Sequence, residues 1–116
     1  MPRLDLPQQY RKQLEALFER LAPELTVWAF GSRVNGSSHD GSDLDLVLRN
    51  PDDLSRRIEN LSRIRAAVSE GDFPILIDIL DWAVLPESFR AEIEKSHVVL
   101  CRKTFDSLSP VHRFSR

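Results

Sequence analysis

The chain has 116 residues, 41% of them apolar and 29% charged, with a formal net charge of −2 and a pI of about 5.9. That length suits one compact domain around a single core and is too short for two. The 16 basic residues are spread along the chain without forming a block. This argues against a long polynucleotide held by its backbone, and leaves a nucleotide substrate open.

No apolar run approaches the roughly 18 to 20 residues that cross a bilayer. The opening Met1-Pro2-Arg3-Leu4-Asp5 lacks the apolar core of a signal peptide. Cys101 is the single cysteine, so no internal disulfide can form, and it reads as a small apolar residue packed at a strand end. A reducing, cytoplasmic setting is expected.

In chain order, Pro7 opens a helical pattern, with Asp5 as its expected cap. Tyr10, Leu14, Leu17, Phe18 and Leu21 share one face of that helix, and Pro23 ends it. Thr26-Val27-Trp28-Ala29-Phe30 is β-branched and aromatic, which predicts a strand. A Gly/Ser stretch follows, and its residues 35–42 are expected to be mobile without a ligand.

Leu44 to Leu48 is the second strand. Asn50-Pro51-Asp52-Asp53 predicts a turn and cap for a second helix, with Leu54, Ile58, Leu61, Ile64 and Val68 inward. Ile75 to Leu80 is the third strand, apolar on both faces except at Asp78, a pattern of a central covered strand. Pro86 opens a third helix with Phe89 and Ile93 inward, and Val98-Val99-Leu100 suggests a short fourth strand. The domain is expected over residues 1–101. Residues 102–116 read as a polar tail. The expected class is α/β or α+β, helices packed on a small mixed sheet.

The stretch AFGSRVNGSSHDGSDLDLVL concentrates the chemistry. It holds Gly31, Gly36 and Gly41, three of the four glycines in the chain. Gly31-Ser32 directly follows an apolar strand. Glycine permits close approach of backbone to a ligand, and a serine hydroxyl with neighbouring N–H groups can donate to phosphate oxygens. Alone, such a pair is also an ordinary turn. No Gly-Lys-Ser/Thr loop and no Gly-x-Gly-x-x-Gly spacing is present.

Asp43 and Asp45 are two apart, so in a strand they face the same way, with Cα atoms about 6.6 Å apart. Two such carboxylates repel unless a cation sits beside them. A solvated strand edge is the bland alternative, and Mg²⁺ is the ion these hard oxygens suit. Asp78 stands among five aliphatics, where an unpartnered ionised carboxylate costs several kcal/mol. Either its face opens to a cleft or hydrogen bonds satisfy it. An adjacent strand would bring it beside Asp43 and Asp45. Three converging carboxylates can hold two divalent ions about 3.5 to 4 Å apart. Asp81, at the strand end, reads as a cap for the segment after it, His39 as a loop residue, and Trp28 and Trp82 as core.

Gly31-Ser32, ten residues, Asp43-x-Asp45 and a later strand aspartate together resemble the polymerase β-like nucleotidyltransferase superfamily, which includes kanamycin nucleotidyltransferase. The brevity resembles its minimal branch, the MNT proteins. TVWAFGSRVNG, SDLDLVL, IDILDWAVLPESFRAEI and the closing VVL resemble the small bacterial enzymes encoded beside a helical HEPN-type, or substrate-binding, protein. The resemblance spans residues 24–101, and the combined motif is more specific than its parts.

The resemblance implies that Gly31 and Ser32 hold the β- and γ-phosphates of ATP, and that Asp43 and Asp45 bind two Mg²⁺ ions. Asp78 would bind the catalytic ion and help activate an acceptor hydroxyl, and Arg33 would neutralise phosphate charge or make a surface ion pair. It also implies transfer of AMP to a tyrosine of a HEPN toxin, with this chain as antitoxin. Two other readings stand beside it: an antitoxin that masks its partner without chemistry, and a small-molecule nucleotidyltransferase with a separate substrate-binding subunit. A phosphatase of the type that also uses Asp-x-Asp is disfavoured, because there the pair follows an apolar strand and here Gly41-Ser42 precedes it.

Overall fold

The computed structural model describes residues 2–102, so the tail expected at 102–116 lies outside it beyond Arg102. Four strands form one mixed sheet: β1 Thr26–Phe30, β2 Leu44–Arg49, β3 Ile77–Asp81 and β4 Val98–Cys101. Four helices accompany them: α1 Gln8–Leu21, α2 Ser32–Asn35, α3 Leu61–Ser69 and α4 Glu87–Lys95. The spatial order is β3-β2-β1-β4. β1 is antiparallel to both β2 and β4, whereas β2 and β3 run parallel. A parallel pair needs a crossover, and the chain between residues 50 and 76, carrying α3, supplies it.

Side-chain alternation divides the interior into two layers. Val27, Ala29, Leu44, Leu46, Leu48 and Ile79 point to one face and pack with Leu14 and Phe18 of α1 and Ile64 and Val68 of α3. On the opposite face Phe30 and Val47 meet Ile93 of α4 and Trp82 of the 3-10 turn after β3, with Trp28 and Leu80 beside them. Asp45 and Asp78 share this second face. Cys101 is half-buried at the end of β4; burial first, and then Glu15 and Glu19, push its thiol up to about 12. A thiol so protonated is inert, as a packing residue should be.

Several boundaries differ from the sequence reading. β3 is an edge strand, although both its faces are apolar. Ile77 and Ile79 face the α1/α3 layer and Leu80 the α4 layer, so the pattern reports two covered faces and says nothing about the number of neighbouring strands. Arg65 of α3 donates to the Ile79 carbonyl at 3.1 and 2.6 Å, tying the crossover to that edge strand.

The second helix starts at Leu61 rather than near Leu54, which is 40% exposed. Asp53 Oδ1 accepts from the N–H and the hydroxyl of Ser55 at 3.0 and 2.6 Å, a local turn that competes with helix. Asp5 does not cap α1. Pro7 occupies the cap position without a side-chain bond, and Asp5 is turned to the glycine loop instead.

Asp81 does act as a cap. Its buried carboxylate accepts from Ala83 N–H at 3.1 Å and from Ile58 N–H, across the crossover, at 3.0 Å. This pins Ile58 in the core outside any helix. Asp81→Ala leaves both donors unpaired, and the Ile58 N–H is buried. It is expected to destabilise the protein by about 2 kcal/mol in urea titration.

Candidate active site

The end of β1 and the starts of β2 and β3 lie together, because β1 runs opposite to the other two. Phe30 pairs with Asp45, and Asp45 pairs with Asp78. The Leu44 N–H donates to the Leu76 carbonyl at 2.9 Å and extends this pairing to the strand starts. Asp43 sits just before β2 and is exposed; Asp45 is half-buried; Asp78 is exposed. The aliphatics around Asp78 therefore do not bury it: its face opens.

Gly31 follows Phe30 with φ 81° and ψ −156°, a conformation essentially reserved for glycine. A Cβ there would collide with Asp45 Oδ2 and lie 3.3 Å from its Cγ. Glycine is thus required twice, by its backbone angles and by the carboxylate against it. Ser32 opens α2 immediately afterwards, and Gly36 closes that helix in the left-handed conformation, φ 88°. The Gly31 carbonyl accepts from the N–H groups of Val34 and Asn35, at 3.0 and 3.1 Å, which folds the turn tightly.

Arg33 differs from both expectations for it. It is 5% exposed and makes no surface ion pair. Its guanidinium donates to the carbonyls of Ser42 at 2.9 Å, Asp5 at 2.7 Å, Asp40 at 3.0 Å and His39 at 3.5 Å. A fork committed to four carbonyls braces the loop and is not directed at a phosphate. Within the 35–42 loop His39 N–H donates to Ser42 Oγ at 2.9 Å, and Gly41 N–H to His39 Nδ1 at 3.2 Å. His39 is the loop residue the sequence suggests.

The sequence reading did not single out Arg49, whose guanidinium lies 3.7 Å from the Trp28 ring centroid and 4.4 Å from that of Trp82. Nor did it single out His97, stacked on Trp28 at 3.7 Å. No spacing rule marks such a cluster. Trp82 is core as expected, while Trp28 is half-buried.

Burial, then Asp78, then Asp43, raise the pKa of the Asp45 carboxyl above its ordinary 3.8. Among the described residues no basic side chain offsets these charges on Asp45, and hard oxygen donors in that condition suit a divalent cation. Among the described residues, no three His, Cys, Asp or Glu side chains are drawn close enough to form a complete ion site by themselves. Mg²⁺ does not require one, since it commonly takes one or two protein carboxylates and completes its shell with water and substrate phosphates.

The model of the family described as polymerase beta, nucleotidyltransferase, matches residues 12–106. A Haemophilus influenzae protein named "Probable protein adenylyltransferase MntA" is 39% identical over 100 residues, covering 86% of each chain. A crystal structure of a toxin–antitoxin with AMP-PNP has the same fold, with TM-score 0.62 and 17% identity over 90% of this chain and 84% of that one. The chain belongs to the polymerase β nucleotidyltransferase family, in its minimal branch.

Two substitutions test the geometry. Gly31→Ala forces a side chain into a glycine-only conformation and into Asp45, and is expected to cost about 3 kcal/mol in thermal or urea unfolding. Asp45→Asn should act in the opposite sense. A folded-state carboxyl with a raised pKa binds its proton more tightly than the unfolded chain does, so ligand-free wild type loses stability as pH rises above 3.8. Removing the charge is expected to raise Tm by about 2–4 °C at pH 7.5, allowing for solvent screening. The gain should vanish near pH 3, and calorimetry at the two pH values measures it.

Proposed function

We propose that this chain is a Mg²⁺-dependent adenylyltransferase that moves AMP from ATP to a hydroxyl of a partner protein, a HEPN-type toxin. It would act in the cytoplasm as the antitoxin of a two-gene pair. The observation carrying this reading is the meeting of Asp45, Asp78 and Gly31 at one end of the sheet. The identity to a relative named as an adenylyltransferase supports the reaction class. The fold shared with a toxin–antitoxin bound to AMP-PNP supports the nucleotide and the kind of partner. That the partner is HEPN-type, and that its acceptor is a tyrosine, rests on the sequence resemblance.

In this reading the Gly31-Ser32 turn holds the β- and γ-phosphates through backbone N–H groups and the serine hydroxyl. Asp43 and Asp45 would hold two Mg²⁺ ions, with Asp78 as a further ligand to the catalytic one. The ions supply charge neutralisation and polarise the phosphates when bound. Asp78 also helps draw the proton from the acceptor hydroxyl. The acceptor oxygen then bonds to the α-phosphorus, the bond from that phosphorus to the bridging oxygen breaks, and pyrophosphate leaves with the electron pair. The raised pKa of Asp45 has a role here: its charged form is disfavoured until a cation compensates it.

Incubation of the co-expressed protein pair with Mg²⁺ and either α- or γ-labelled ATP tests the reaction. Label should reach the partner from the α position alone, and Asp45→Asn should lower the rate by at least about 10³-fold. Labelling from the γ position would make the protein a kinase. Neutralisation of the toxin by an Asp43→Asn, Asp45→Asn double variant as complete as by wild type would make masking sufficient.

A further inference from the structure

We infer that Asp5, Arg33 and Ser38 form a clamp that sets the conformation of the nucleotide loop, and that all three are positioning residues for phosphate binding. The inference rests on the nucleotide reading of Gly31-Ser32. The segment ahead of α1 lies against the loop through three contacts. The Asp5 N–H donates to the Arg33 carbonyl at 2.7 Å, and Arg33 Nη1 donates back to the Asp5 carbonyl at 2.7 Å. Ser38 Oγ donates to Asp5 Oδ2. Arg33 is the buried centre of the clamp and reaches both banks at once: Asp5 on one side, and the turn at His39, Asp40 and Ser42 on the other.

Position makes these contacts consequential. Arg33 lies two residues beyond Gly31 and one beyond Ser32, within the same four-residue helix. Ser42, braced by Arg33, directly precedes Asp43. Whatever holds the guanidinium in place therefore fixes both the turn that would meet the phosphates and the entry to the carboxylate strand. The entropy of ordering thirteen residues between β1 and β2 would otherwise be lost on nucleotide binding. A clamp closed beforehand removes part of that cost. The charge of Arg33 is secondary in this arrangement; the fork is what no other side chain reproduces.

Arg33→Lys separates a clamp from a phosphate contact. Lysine is a competent phosphate partner as a point charge, so a direct contact would leave affinity for Mg²⁺·AMP-PNP within about twofold of wild type. The clamp predicts a loss of about tenfold or more by calorimetry. It also predicts faster amide hydrogen exchange across residues 31–35 in the nucleotide-free protein. Ser38→Ala and Asp5→Ala break one exposed bond from either side, so they do not threaten folding. Each should raise the KM for ATP by about threefold, with a smaller fall in kcat. Their double variant should be no worse than either alone.

Wild-type exchange rates and nucleotide affinity in Arg33→Lys and in the double variant would overturn the clamp, even with α-label transfer intact. Faster exchange and weaker nucleotide binding in a protein that transfers no label would uphold the clamp and remove the transferase reading.

Discussion

Asp45 and Asp78 stand directly opposite each other on neighbouring parallel strands, with Asp43 just ahead of β2 and near enough to act on Asp45. Partial burial of Asp45, and then the charges of Asp78 and Asp43, disfavour its ionised form. Among the described residues no cationic side chain relieves this repulsion. The nearest buried cation along the chain, Arg33, is occupied by carbonyls. The Arg49 guanidinium lies over indole rings at the other end of β2. Among the described residues the repulsion is left unrelieved, and a divalent cation carries the charge and the affinity for hard oxygens that would relieve it.

The sheet exists in a form that serves this arrangement. Only with β1 antiparallel and β3 parallel to β2 do the glycine turn and the two carboxylate strands reach the same end. The parallel pair demands the long crossover, and Asp81 fastens that crossover back to the end of β3. Leu44, Leu46 and Leu48 alternate with the acidic row and are fully buried against α1 and α3. A one-residue slip of β2 would put leucines in the site and aspartates in the core, so packing and chemistry fix the same register. Gly31 closes the arrangement, since no other residue both adopts its backbone angles and leaves room for Asp45.

Much of this was legible from residues. Alternation along Leu44 to Leu48 placed Asp43 and Asp45 on one face, and the lone acid in an aliphatic run marked Asp78. The β-branched and aromatic content of residues 26–30 located β1. What escaped was decided by partners distant in sequence or by competing local bonds. Apolarity on both faces of β3 could not report that, among the described strands, it has a neighbour on one side only. The helical spacing from Leu54 gave no warning that Asp53 would bond Ser55 instead. Asp5 has a cap's composition and position, yet Arg33 and Ser38 claim it from 28 and 33 residues away. Arg33 looked like a phosphate ligand because its neighbours suggest phosphate; its burial among carbonyls is a tertiary fact.

The central claim is that a divalent ion belongs between the Asp45 and Asp78 carboxylates, with triphosphate against the glycine turn. Crystals grown with Mn²⁺ and AMP-PNP, measured at the manganese absorption edge, test it most directly. The account predicts an anomalous peak in contact with oxygens of both aspartates, and β- and γ-phosphate density beside Gly31 and Ser32. Nucleotide bound elsewhere, or manganese absent from those two carboxylates while nucleotide is present, would contradict it.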